Sequence, residues 1–339
     1  MAVAEARGGP RQASVCKAEG MKPAEFLADL EAKPTALLAL ADALDDVEWP
    51  VSRTAPGRIV LTGMGSSWFA AETAARRMRR AGIHAVAELA SVEATYPRDT
   101  DLTVVGITAG GNSKETLSLL AHHHRHSRTI ALTNNGKAEL PADHTLLMHA
   151  GEETGGVACR SYLHTLIQLL HLEHQLAGSV PDLVGRVARA AAAATDLLAR
   201  RADWVPAVQQ VLGGPQGCWL LAPAERLANA SQGALMVREG PRRAADACET
   251  GDWNHVDVYL TKTLDYRALV FTGSRYDHDA VHWMRERRSR YVTVGGHLPG
   301  AVYEVRYPHD DDPIVALLTE VLVPELLAAD WWLAQPSAH

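Results

Sequence analysis

Arg58-Ile59-Val60-Leu61-Thr62-Gly63-Met64-Gly65-Ser66-Ser67 is the stretch whose reading decides the fold. Arg58–Thr62 is a short, nearly unbroken apolar run, as expected of a strand buried on both faces. Glycines and serines end it, and Ser66–Arg80 then carries apolar residues at helical spacing. A strand that turns into a helix through a glycine loop opens a βαβ unit. The pattern recurs downstream: Ala85–Leu89 and Leu102–Thr108 read as strands, Ser113–His124 as a helix, Thr129–Thr133 and Thr145–His149 as strands, and Tyr162–Leu176 as a long helix with an apolar face. Strands alternating with helices imply a parallel sheet with right-handed crossovers.

Outside this core the same alternation continues. Pro23–Leu44 has helical spacing, with Pro34 expected to split or kink it. Gly178–Ala199 contains an alanine-rich helix suited to join two halves. A second series follows, with strands at Trp219–Ala222, Ala244–Ala247, Ala268–Thr272, Tyr291–Val294 and Val302–Arg306, helices at Ala224–Glu239 and Asp277–Arg288, and a closing helix at Ile314–Leu333. The expected class is therefore α/β, with two doubly wound, flavodoxin-like parallel-sheet subdomains. Residues 1–22 read as a flexible leader, 23–178 as the first subdomain, 179–200 as a helical linker and 201–339 as the second subdomain. In such sheets ligands bind outside the C-terminal ends of the strands.

Composition narrows the function. The chain has 339 residues, of which 47% are apolar, so two ordinary domains are within reach. No apolar run approaches the roughly 20 residues of a membrane span, and the first twenty residues lack the apolar core of a secretory signal. Net charge is −7 with both signs mixed along the chain. No basic stripe with interleaved aromatics is present, which argues against nucleic acid as a partner. Cys16, Cys159, Cys218 and Cys248 show no metal or redox spacing, and scattered cysteines suit a reducing cytoplasm. Neither a metal nor a cofactor is expected.

Two loops carry chemistry. Thr62–Ser67 places glycines and two serines at a strand-to-helix junction, where free helix N–H groups favour an anion. The bland alternative is a plain turn with a serine cap. Thr108-Ala109-Gly110-Gly111-Asn112-Ser113 repeats the arrangement one βα unit later. Other features read as structural. The run His122–His126 spreads its side chains around a helix and is a poor metal site, Asp310-Asp311-Asp312 before Pro313 reads as a helix cap, and the basic run Arg285–Arg290 reads as a solvated face.

These loops resemble those of the SIS (sugar isomerase) family, and the double-SIS proteins in particular. Gly63-Met64-Gly65-Ser66-Ser67-Trp68 is similar to its G-x-G-T-S-Y loop, and Thr108–Ser113 falls where it carries S-x-S-G-x-T. Ala150-Gly151-Glu152-Glu153-Thr154-Gly155 resembles A-G-x-E-x-G, running on to Arg160-Ser161-Tyr162. Val157-Ala158 matches the family's V-A under a one-residue shift, whereas the ungapped match keeps Glu153 and Ser161-Tyr162 in place. Gly233–Glu239 is similar to G-A-L-K-x-K-E, and His255 falls where the family has its histidine. The likeness is strongest to the isomerase half of glucosamine-6-phosphate synthase and to related deaminase/isomerases.

The resemblance implies a phosphosugar isomerase or aminosugar-phosphate deaminase/isomerase. Glu239 would move a proton between C1 and C2, and His255 would open the sugar ring from a neighbouring subunit of a homodimer. Gly65, Ser66, Ser67, Thr108, Gly110, Gly111, Asn112, Ser113, Glu153, Gly156 and Val157 would hold the substrate and its phosphate. The residue types fit: a carboxylate can take a proton next to a carbonyl, and histidine titrates near neutrality. The chain departs from the pattern, with Met236 where relatives often carry a lysine and in two further places. Ala109, Gly110 and Asn112 replace the middle hydroxyls of loop two, and the last lysine is Lys262, so the family's tail lysine for imine formation is missing. No glutaminase context surrounds Cys16. An atypical sugar or sugar–amine substrate, acted on by a lyase, and a non-catalytic phosphosugar sensor are the alternatives this leaves open.

Overall fold

The structure is a computed structural model, and it describes residues 20–93 and 96–335. The expected leader lies almost wholly in residues 1–19, outside the described residues. Two helices come first, α1 (Pro23–Glu31) and α2 (Lys33–Ala43). They divide at Ala32, with Pro34 in the first turn of α2, where its missing N–H costs nothing.

The first sheet is built from β1 (Arg58–Gly63), β2 (Ala85–Leu89), β3 (Leu102–Ile107), β4 (Arg128–Thr133) and β5 (His144–Leu147). Its order is β2-β1-β3-β4-β5, and every pairing is parallel. The crossover helices are α3 (Ser66–Arg80) and α4 (Lys114–His123), and α5 (Arg160–Ala177) follows β5. The second sheet contains β6 (Cys218–Ala222), β7 (Ala245–Glu249), β8 (Arg267–Phe271), β9 (Arg290–Val294) and β10 (Tyr303–Val305), in the order β10-β9-β8-β6-β7, again all parallel. Read from its other edge this is the same winding as the first sheet, so each half changes direction beside its first strand. The expected α/β class with two doubly wound parallel sheets is what the structure shows.

The other helices are α6 (Leu183–Ala199), α7 (Arg201–Leu212), α8 (Leu227–Glu239), the single turn α9 (Thr250–Trp253), α10 (Asp277–Glu286), α11 (Pro313–Thr319) and α12 (Leu322–Leu333). Two of these correct the sequence reading. No helix was expected at 201–212, yet α7 buries Trp204, Val205, Val208, Val211 and Leu212. The single closing helix is two, because Pro324 has no N–H to give the Glu320 carbonyl four residues back.

One large apolar cluster joins the halves. It draws on Phe26 and Leu37 from α1 and α2, Leu166 from α5, Ala190 and Ala194 from α6, Met236 from α8 and Leu326 from α12. The alanine-rich α6 is thus part of the core as well as a connection, its small side chains letting α2 pack closely against it. Among the described residues, no helix is long and apolar enough to cross a membrane.

Candidate active site

Loop one begins where β1 ends. Gly63 packs against the start of α3, where an added Cβ would stand 2.7 Å from Ser67 Cβ. Gly65 has φ +54°, a conformation costly for any residue with a side chain. Ser66 and Ser67 then open α3 with their N–H groups at its positive end.

Loop two follows β3. Its backbone carbonyls are engaged on the far side. Gly111 N–H donates to Thr108 O at 3.1 Å, Thr133 Oγ1 to Ala109 O at 3.1 Å, and Asn135 Nδ2 to Gly110 O at 3.2 Å. Ser113 caps α4, accepting from Thr116 N–H at 3.4 Å and donating to Glu115 Oε2 at 3.0 Å. Thr108 is buried and its hydroxyl accepts from Ser113 N–H at 3.5 Å. The end hydroxyls of loop two therefore first shape the turn.

The two loops line one cavity of about 680 Å³. Gly65, Ser66, Ser67, Thr108, Gly110, Asn112, Ser113 and Gly156 all reach it, and so does Glu239, the last residue of α8. Leu235, one turn earlier on the same helix face, lines it too. α8 can stand this close because Gly233 lets it settle on α12, where an added Cβ would meet Pro324 Cγ at 2.5 Å.

Four expected site residues sit differently. Gly111, at φ +71°, shapes the turn from behind. Val157 is buried in the core, while its neighbours Gly156 and Ala158 line the cavity. Glu153 turns its carboxylate to the N-terminus of α5, where Oε1 accepts from the amides of Cys159, Arg160 and Ser161 at 2.7, 2.6 and 3.2 Å. Those three N–H groups would otherwise lack a partner, so Glu153 acts as a helix cap. His255 is exposed in a separate hollow of about 610 Å³ beside Asp252, Tyr276, His282 and Trp283.

Sequence reading missed Lys114. It is the first residue of α4, lines the cavity, and makes no salt bridge among the described residues. Its signal was available, as the only cation within two residues of either loop. Glu115 also lines the cavity, and its own amide and then the Ser113 hydroxyl hold its carboxyl below the usual range.

The second half's switch point is closed. Arg226, in the loop after β6, donates to the Thr272 carbonyl and from Nε to Glu320 Oε2 at 2.8 Å. Tyr307 OH donates to Glu320 Oε1 at 3.1 Å. Burial pushes the Glu320 carboxyl up to about 7, with Arg226 pulling the other way. Protein groups thus occupy the crevice that the first half leaves open.

The SIS domain family model matches residues 54–172, a span that carries both loops and Glu153. Solved structures share the fold of nearly the whole chain. The C-terminal domain of glucosamine-fructose-6-phosphate aminotransferase from Francisella tularensis is 15% identical, with 91% of this chain and 95% of that one covered at a TM-score of 0.77. Tagatose-6-phosphate ketose/aldose isomerase from Escherichia coli is 18% identical, with 94% of each chain covered and a TM-score of 0.73. Glucosamine-6-phosphate deaminase from Thermotoga maritima is 17% identical, with 91% and 94% covered and a TM-score of 0.67. At these identities the likeness establishes the fold. No curated protein matches the sequence.

Proposed function

We propose that the chain is a sugar-phosphate isomerase or aminosugar-phosphate deaminase/isomerase made of two SIS-type halves, residues 23–178 and 201–339, joined through 179–200. The observation that carries this reading is the shared cavity: Glu239, from the second half, stands over the two hydroxyl- and glycine-bearing loops of the first. The loops and the α3 and α4 N-termini bind the phosphate. Lys114 supplies the positive charge that compensates for the hydroxyls missing at Ala109 and Gly110. With the phosphate fixed, the carbonyl end of the open-chain sugar comes within reach of Glu239. The carboxylate takes the proton from the carbon next to the carbonyl, giving an enediolate, and returns it to the neighbouring carbon while the hydroxyl proton passes from one oxygen to the other.

His255 does not line its own chain's cavity, so its ring-opening role requires a second copy. The surface around it supports a homodimer. Val256, Tyr259, Tyr276 and Trp283 are all exposed, and such a cluster of apolar and aromatic groups favours association.

The test is conversion of C4 to C6 sugar phosphates and amino-sugar phosphates, followed by NMR. Turnover lost in Glu239→Gln and His255→Ala supports these roles. Full turnover in both variants would assign the chemistry elsewhere.

A further inference from the structure

α3 and α8 follow the first strand of their respective sheets and pack on one another. Each therefore brings its far end to the other half. Glu239 at the end of α8 reaches loops one and two. The end of α3 reaches the loop after β6, where Arg76 donates from Nη1 to Ala224 O at 2.8 Å and Arg80 Nη1 lies 3.9 Å from Glu225 Oε1. Between them is a cavity of about 530 Å³, lined by Arg76, Arg77, Arg80, Glu173, Ser179 and Glu225. It is walled mainly by the end of α3 and by α5, with Glu225 contributed by the second half.

We infer that this cavity binds a small phosphate-bearing anion, and this holds whether or not the chain is an isomerase. Two of its guanidinium groups are fixed in advance. Arg77 donates from Nε and Nη2 to the Glu173 carboxylate at 2.9 and 3.1 Å, which also accepts from Ser179 Oγ at 2.8 Å. Arg76 is held by Glu72 at 2.6 Å as well as by the Ala224 carbonyl. Planar groups locked by neighbours lose little freedom on gripping a phosphate, and each keeps N–H donors to spare. Glu72 and Glu173 are already paired. Arg80 is the movable member: its side chain is 82% exposed, and its contact with the 57%-exposed Glu225 is beyond hydrogen-bond length. An anion recruits Arg80 by displacing that contact alone. The inner crevice is filled by Arg226 and Glu320, so the ligand sits at the seam between the halves.

The test is calorimetric titration of the full chain with inorganic phosphate, with ³¹P NMR as a second readout. Arg76→Gln/Arg80→Gln is expected to remove one binding event, weakening it about tenfold or more, and to leave phosphate binding at Ser66–Ser67 and Lys114 intact. Ser67→Ala/Lys114→Gln is expected to do the converse. Arg80→Glu alone, at a solvent-exposed position, guards against misfolding of the double variant and is expected to weaken the same event. A single phosphate event untouched by both arginine variants overturns the inference. A single event that the arginine variants abolish supports it even if the proposed isomerase site binds nothing.

Discussion

Lys114, unassigned in the sequence, lines the cavity, whereas Glu153, expected to hold the substrate, caps α5. Lys114 lies on the cavity and forms no salt bridge among the described residues, which leaves its charge to a ligand. Lys114→Gln is expected to weaken inorganic phosphate binding at this site about tenfold by calorimetry, with Tm unchanged because the residue is exposed. Glu153 gives its carboxylate to three α5 amides. Glu153→Ala is expected to cost about 1–2 kcal/mol in denaturant unfolding, as other lost caps do, whereas an unchanged midpoint would return it to the ligand. The residue types of the loops and Glu239 were legible because family-like motifs fix their spacing. The cap was not, because Glu153 stands six to eight residues before its partners in an irregular loop, and no local pattern links them.

The βα elements were legible because their periods are strong. Ser66–Arg80 and Ala85–Leu89 form the expected helix and strand with the expected limits. What escaped was punctuation and one helix. Pro324 marked the α11–α12 break, and Trp204, Val208 and Val211 carried the α7 stripe at i, i+4 and i+7, interrupted to the eye by Pro206. At this scale the key element is loop one. Gly65 has nothing within 4 Å of where a Cβ would be, so its constraint is its φ of +54° alone. Gly65→Ala is expected to cost about 1–3 kcal/mol of strain and to reduce phosphate affinity, both measurable on one folded variant. Unchanged affinity would remove the loop's shape from the account.

Across the whole molecule the two halves are bound by a common core and by a buried ion pair that no sequence period announces. Lys33 and Glu325, fully buried, tie α2 to α12, and burial pushes the Glu325 carboxyl up to about 7 against the pull of Lys33. Glu325→Leu alone strands a buried ammonium and is expected to cost about 3–5 kcal/mol, most of it recovered in Lys33→Met/Glu325→Leu. Chemical denaturation of the two variants checks this. Glu320 gives a pH dependence. Its folded pKa, about 7, lies above the ordinary 4.5, so between those values the folded state holds the proton that the unfolded state has released. Its contribution to stability therefore falls as pH rises from about 4.5 to about 7. Glu320→Gln, which cannot ionise, is expected to gain on the natural chain across that window and to hold a constant difference above it.

The most direct test of the site is hydrogen exchange at C2 of hexose or hexosamine phosphates in D₂O, followed by ¹H NMR with the natural chain and with Glu239→Gln. Deuterium entering C2 with the natural chain and not with Glu239→Gln is the predicted result. Equal exchange by both proteins would contradict the placement of proton transfer at Glu239.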